Sequence, residues 1–209
     1  MKICLIEPPK FISMTNFVST ICMPPIGLAY IASVLRNTGY TVAVIDGPGS
    51  GLKSYFSFNK IYVRGLSNDE IIKRIPIETD VIGLGCMFSS NWIYVRELIK
   101  MIRKEFPSTF IIVGGEHVTG FPKFSLEQAP FDVVVLGEGE ETVAELMQCF
   151  EQGKPLKDVK GIAFRDPSGQ VNINERRPRI KDIDSIPLPS WDLFEIESYI
   201  QHNQPHGSS

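Results

Sequence analysis

The sequence predicts a doubly wound α/β domain with a mainly parallel sheet, continued by a C-terminal hairpin and an extended linker. Three observations carry that expectation. Short apolar runs such as VIGLGCMF and FIIVGG have the unbroken hydrophobicity of strands buried on both faces. Amphipathic stretches of helical period alternate with them, the order that strand-helix-strand units produce. After Gly153 the texture changes to two short strands around a turn and then to a segment rich in proline and charge.

The first strand is expected over Ile3 to Ile6, because Pro8 and Pro9 prevent a helix from following directly. An irregular stretch from Glu7 to Pro25 leads to GLAYIASVLRNTGY, a helix with Leu28, Ile31, Ala32 and Leu35 on one face and Gly39 as its stop. Thr41 to Ile45 forms the second strand, closed by Asp46 and GPGSG. The segment from Gly47 to Leu66 fits no period and reads as an insertion. NDEIIKRI is a short helix with Asn68 as N-cap. VIGLGCMF is the third strand, NWIYVRELIKMIRKEF an amphipathic helix, and FIIVGGEH the fourth strand. Phe121 to Gln128 fits a short helix, and DVVVLGEGEETVAELMQCFEQG is a strand, a glycine turn and a helix. GIAFRDPSGQVNINE then reads as a hairpin turning at Pro167, Ser168 and Gly169. The division expected is a domain over residues 1–153, an appended hairpin over 154–175 and a linker over 176–209, with no closing element in HNQPHGSS.

Bulk properties narrow the function classes. A formal net charge of -3 provides no basic stripe for nucleic acid, and Arg176, Arg177, Arg179 and Lys181 read as a solvated surface. No apolar run reaches the roughly 18 to 20 residues of a membrane span. The N-terminus lacks the form of a signal peptide. Cys4, Cys22, Cys86 and Cys149 are too scattered for zinc or a disulfide framework. A cytoplasmic protein with reduced, mostly buried thiols is expected.

In an open parallel sheet, ligands bind beyond the carboxyl ends of the strands, where the strand order reverses. Pro8 and Pro9 follow the first strand, Met87, Ser89 and Ser90 the third, Gly114 and Gly115 the fourth, and Gly137 and Gly139 the fifth. Glycines there let the backbone approach a ligand that a Cβ would block. One such turn is as often structural as functional, but several on one edge favour a ligand site. Neither Gly-x-Gly-x-x-Gly after the first strand nor Gly-Lys-Ser/Thr is present, so phosphate-binding readings are weak. His117 lies on a ligand-facing loop, where it either touches a ligand or only makes loop hydrogen bonds. Glu138, Glu140 and Glu141 suggest acid/base chemistry less than they suit the first turn of a helix. No nucleophile-base pair, and so no catalytic residue, is apparent.

With these pieces in order, the chain resembles the N-terminal cobalamin-binding, Rossmann-like domain of cobalamin-dependent radical S-adenosylmethionine enzymes. The resemblance rests on EPP, PPIGLAYIASVLRNTGYTVAVID, VIGLGCMF, IIVGGEHVT, DVVVLGEGEETVAEL, GIAFRD and IPLPSWDLF, which cover most of residues 1–197. It implies a corrin over the carboxyl edge, contacted by Pro8, Pro9 and the run Met23, Pro24, Pro25 and Gly27. It implies a nucleotide tail running past Gly85, Cys86 and Met87, past Gly114, Gly115, Glu116 and His117, and past Gly137, Glu138, Gly139 and Glu140.

The chain departs from cobalamin-domain patterns in three places. Other cobalamin domains carry Ser-x-Leu before the Gly-Gly pair. Here the 26 residues between Met87 and Gly114 keep that spacing while Gly85 replaces the serine. The loop EPPKFISMTNFVSTICMPPIG lacks the histidine of Asp-x-His-x-x-Gly, so no protein imidazole is expected on cobalt. That base-off arrangement, without protein histidine, would favour a cobalt that readily takes and gives a methyl group. The Cys-x-x-x-Cys-x-x-Cys set for an iron-sulfur cluster is missing. The resemblance therefore implies a chain truncated before a radical domain that would supply the cluster (4Fe-4S) and the S-adenosylmethionine site in cis. The parent would be a methyltransferase or cyclase, and this chain alone would not be catalytic. The rivals are a non-catalytic regulatory or interaction domain of flavodoxin-like fold whose cofactor site is lost, and a flavin- or nucleotide-binding domain.

Overall fold

In the computed structural model, which describes residues 1–12 and 22–202, a seven-stranded sheet forms the centre. Its strands are β1 (Lys2–Glu7), β3 (Thr41–Asp46), β6 (Val81–Gly85), β7 (Phe110–Gly114), β8 (Val133–Val135), β9 (Ile162–Arg165) and β10 (Val171–Ile173), in the order β10-β9-β8-β7-β6-β1-β3. The pairs β3-β1, β1-β6, β6-β7 and β7-β8 are parallel, and β9 and β10 add on antiparallel. The doubly wound, mainly parallel α/β fold is thus the observed one.

The sheet is covered on both faces because its strands alternate between two cores. Cys4 and Ile6, Ile82 and Leu84, Ile111 and Val113, and Val134 point into one core. It is completed by α2 (Asn68–Arg74), α3 (Trp92–Glu105), α4 (Glu116–Gly120) and α5 (Pro122–Gln128). Ile3 and Leu5, Val81, Ile112, and Val133 and Val135 point the other way, toward α1 (Ile26–Asn37) and α6 (Glu140–Glu151). This period of two on both faces is why the strands read as continuous apolar runs.

Several local expectations are corrected. Helix α1 buries Ala29, Ala32, Ser33 and Leu35, while Leu28 and Ile31 are only partly buried. The small residues let α1 lie close to the sheet, and Ile31 instead meets the turn at Gly139, where a Cβ would lie 2.9 Å from its Cδ1. Ser67, not Asn68, caps α2. Its hydroxyl accepts from Glu70 N–H while the Glu70 carboxylate accepts from Ser67 N–H, a reciprocal capping box.

The stretches read as irregular or inserted form a second, three-stranded sheet. It comprises β2 (Lys10–Ile12), β4 (Tyr55–Phe58) and β5 (Ile61–Arg64), in the order β2-β5-β4. The turn between β4 and β5 places Asn59 and Lys60 at φ 49° and 66°, the left-handed pair of a type I′ hairpin. Phe11, Phe56 and Phe58 pack around Tyr94 of α3 with ring centroids 6.2, 5.9 and 5.1 Å away. The part of the Glu7–Pro25 stretch at 13–21, and the tail at 203–209 with His206, lie outside the described residues.

The C-terminal hairpin continues the main sheet, since β9 pairs with β8. The segment read as an extended linker is strapped back across the domain. Arg177 pairs with Glu145 and Glu141, and Ile180 N–H donates to the Glu138 carboxylate at 2.7 Å. Ser190 N–H then donates to Ala29 O, Arg36 pairs with Asp192 at 2.8 Å, and Phe194 is buried. A closing element unforeseen in the sequence follows, α7 (Ile196–Gln201), with Tyr199 fully buried. Polar segments of this kind dock when a few apolar anchors and satisfied charges offset the ordering entropy. No helix among the described residues is long and apolar enough to cross a membrane.

Candidate functional site at the carboxyl edge of the sheet

The parallel strands all end at one edge, and the order reverses between β1 and β6: β1 is followed in sequence by a neighbour on one side, and the next strand lies on the other. The loops after β1, β6, β7 and β8 therefore meet at this edge, as expected for the ligand crevice of an open α/β sheet.

Strand β1 ends at Glu7 and is followed by Pro8 and Pro9, all three buried. Pro9 packs against the second sheet, where a Cβ on Gly65 would lie 2.9 Å from its own Cβ. Glu7 forms an ion pair with Lys10, the first residue of β2. Strand β3 ends beside it, with Gly47 N–H donating to Glu7 O at 3.0 Å. Asp46, 2 % exposed, accepts hydrogen bonds from Gly49 N–H at 2.9 Å and from Tyr199 Oη at 3.0 Å. Burial is the main cause that pushes its carboxyl up to about 6, and these donors only partly offset it.

After β6 the chain passes from Gly85 through buried Cys86 to exposed Met87 and Phe88. Cys86 N–H donates to Gly114 O at 2.8 Å, and burial pushes its thiol up to about 12, which keeps it neutral. Gly115 folds back over it at φ 111°, where a Cβ would lie 2.5 Å from Cys86 O. His117 N–H also donates to Cys86 O at 3.2 Å. The His117 ring is buried, with Nδ1 2.9 Å from Ser89 Oγ and ring centroids of Trp92 and Phe121 at 4.8 and 5.7 Å. Burial lowers its pKa, so the imidazole is neutral at physiological pH, and its Nε2 has no hydrogen-bond partner among the described residues. The loop hydrogen bond foreseen for His117 is present through Nδ1.

The turn after β8 is partly committed to the fold. Gly137 N–H donates to Thr119 Oγ1 at 3.0 Å, Glu138 holds the strap, and Gly139 lies against Ile31. Glu140 Oε2 is buried without a partner among the described residues, and Glu116 is exposed.

Above these loops runs an apolar rim. Met23 (64 % exposed) and Ile26 precede and open α1, Met87 and Phe88 (60 % exposed) follow β6, and Phe121 follows α4. Pro24 and Pro25 are half-buried, and the backbone at Gly27 and Gly137 borders open space among the described residues, with none of their atoms within 4 Å of where a Cβ would sit. Exposed apolar side chains beside open glycines suit a broad, weakly charged ligand. Sequence reasoning found Met23, Met87 and the glycines. Ile26, Phe88, Phe121 and Glu7, which also lie at this edge, were not singled out, since the first three look like ordinary helix or strand residues and Glu7 simply closes a buried strand.

Comparison with known proteins bears on the family and the fold. An uncharacterized methyltransferase of Pyrococcus horikoshii is 34% identical over 210 residues, covering 99% of this chain and 42% of that protein. The cytidylyl-2-hydroxyethylphosphonate methyltransferase of Streptomyces wedmorensis is 31% identical over 207 residues, 86% of this chain and 38% of the relative. The chain thus spans less than half the length of these curated relatives. In fold it is similar to the cobalamin-dependent S-adenosylmethionine radical enzyme OxsB, solved with aqua-cobalamin and S-adenosylmethionine bound. The TM-score is 0.76 at 21% identity, over 98% of this chain and 26% of that one. The model of the B12 binding domain family matches residues 14–147, and the chain belongs to that family.

Proposed function

We propose that this chain binds cobalamin at the carboxyl edge of its sheet, as the cofactor-holding part of a methyltransferase-like, cobalamin-dependent radical S-adenosylmethionine enzyme. The observation that carries the reading is the set of exposed apolar side chains Met23, Ile26, Met87 and Phe88 on the segments at the carboxyl edge, with open backbone at Gly27 and Gly137. The residues present fit the group. A corrin is broad and nearly uncharged, and apolar contact plus backbone approach would hold it. Its nucleotide tail would descend past Gly85 to Met87, Gly114 to His117, and Gly137 to Glu140. Pro8 and Pro9 would shape that crevice from beneath, since both are buried.

Bound cobalamin would supply the methyl-carrying chemistry, and the chain's own contribution is to hold and shield it. The sequence from Glu7 to Gly27 has no histidine, and His117 is engaged with Ser89 beneath the Met87–Phe88 loop. A base-off cofactor without protein imidazole is therefore the state this chain favours. The iron-sulfur cluster and the S-adenosylmethionine site would belong to a domain in cis outside residues 1–209, in keeping with the coverage of the relatives.

The test is retention of hydroxocobalamin by the purified chain through gel filtration, followed by its visible spectrum. Retained corrin without the spectral signs of histidine ligation is expected. An eluted chain free of corrin, or one carrying flavin absorption, would overturn the reading.

A further inference from the structure

The residue at the switch point that no apolar contact explains is Glu7. It closes β1 and is 7 % exposed, a place where a carboxylate is costly unless its charge is met. Lys10 Nζ meets one oxygen, Oε1. The other oxygen, Oε2, is turned across the crevice toward β6. A Cβ built on Gly85 would lie 2.7 Å from Oε2, and the only other described atom within 4 Å of that Cβ, its own neighbours apart, is Cδ of the same carboxyl group. Among the described residues, only this carboxylate occupies the space over Gly85. A structural ion pair would need only the oxygen that faces lysine.

We propose that Glu7 is a ligand-binding residue. Its Oε2 accepts a hydrogen bond from a ribose hydroxyl of the cofactor's tail where it descends past Gly85, and glycine at 85 leaves that oxygen its room. This rests on the cobalamin reading above and assigns a polar contact to a crevice otherwise lined by backbone and apolar groups. Lys10 is a positioning residue that holds Oε1 and so aims the carboxylate. The acceptor selects for donors, so the tail would pass Gly85 with ribose hydroxyls, not its phosphodiester, facing Oε2.

The experiment compares hydroxocobalamin with cobinamide, which keeps the corrin ring but lacks the ribose and base of the tail, on the full chain. Loss of a hydrogen bond to a charged acceptor predicts that Glu7→Ala weakens hydroxocobalamin binding roughly tenfold or more. Cobinamide binding should change less than about twofold, the scatter expected when no contact is lost. Gly85→Ala, which drives a methyl group against Oε2, should produce the same selective loss even if Glu7→Ala folds poorly. Combining the two substitutions should add little to either alone, because both act on one contact. Equal loss for both corrinoids, or no loss for either, would overturn the proposal while leaving the cobalamin reading intact. A wild-type chain that retains neither corrinoid would overturn both.

Discussion

Asp46→Asn should stabilise this protein, and the gain should depend on pH. Asp46 is buried at the end of β3, with Oδ1 taking both Gly49 N–H and the Tyr199 hydroxyl while Oδ2 has no partner among the described residues. Burial, with a smaller contribution from the neighbouring Glu7 charge, raises its carboxyl from the ordinary 3.8 to about 6. A carboxyl whose folded pKa is raised binds more protons folded than unfolded over that interval. Its stabilising contribution is complete below pH 3.8 and is lost as pH rises through about 6. The interval spans roughly two pKa units at about 1.4 kcal/mol each, so about 3 kcal/mol is forfeited by pH 7. Asparagine keeps the acceptor for Gly49 and Tyr199 and carries no charge, so it escapes that loss. Urea unfolding of both proteins between pH 4 and 8 should give curves about equal at the acid end. By pH 7 they should diverge by about 2 to 3 kcal/mol in favour of the variant. Parallel curves, or a variant weaker at pH 7 than at pH 4 relative to wild type, would refute the argument.

Other substitutions probe the frame around the site. Gly115→Ala must place a side chain at φ 111°, ψ 170° and within 2.5 Å of Cys86 O, so a loss of about 2–4 kcal/mol is expected in urea unfolding. Ser67→Ala removes half of the capping box of α2 and should cost about 1 kcal/mol by the same assay. Phe88→Ala should leave stability within about 0.5 kcal/mol, because the ring is largely exposed. It should weaken hydroxocobalamin binding roughly tenfold in equilibrium dialysis, the worth of the apolar area a bound corrin would cover.

The sheet was legible because its physics is local: a strand buried on both faces must be apolar at every position, and Ile3–Ile6, Val81–Leu84 and Val133–Val135 are. The second sheet was not, because its hairpin turns at Asn59 and Lys60. Lysine at positive φ leaves none of the Asn-Gly signal that marks such a turn. Its strands are short, and the rings of Phe11, Phe56 and Phe58 that hold it to Tyr94 of α3 lie far from that residue in sequence. The strap was hidden for a similar reason. Its anchors, Phe194 and Tyr199, are isolated in a polar, proline-rich stretch, and only the fold reveals that Asp46 waits for the tyrosine hydroxyl. At the site, the glycines that mark the edge were visible as residue types. Which of them border open space and which are clamped by the fold depends on neighbours distant in sequence, as Gly27 and Gly139 illustrate.

The strap also explains why one part of the carboxyl edge, not all of it, is available to a ligand. Glu7 and Asp46 end adjacent strands in register, and the Gly47 N–H to Glu7 O bond ties the two loops together. Over β3 the edge is filled by the protein itself, since Tyr199 and Gly49 close on Asp46 and Ser198 Oγ donates to Gly49 O at 2.9 Å. Over β8 the strap takes Glu138, leaving the neighbouring backbone of Gly137 open. Among the described residues, none is seen closing over the ends of β1, β6 and β7 between these two attachments, and Met87 and Phe88 stand exposed there. A chain segment that reads as a mere connector thereby bounds the crevice on both sides. Severing its hold at Tyr199 would widen the edge toward β3 and expose Asp46, a carboxylate that a weakly charged macrocycle has little means to satisfy.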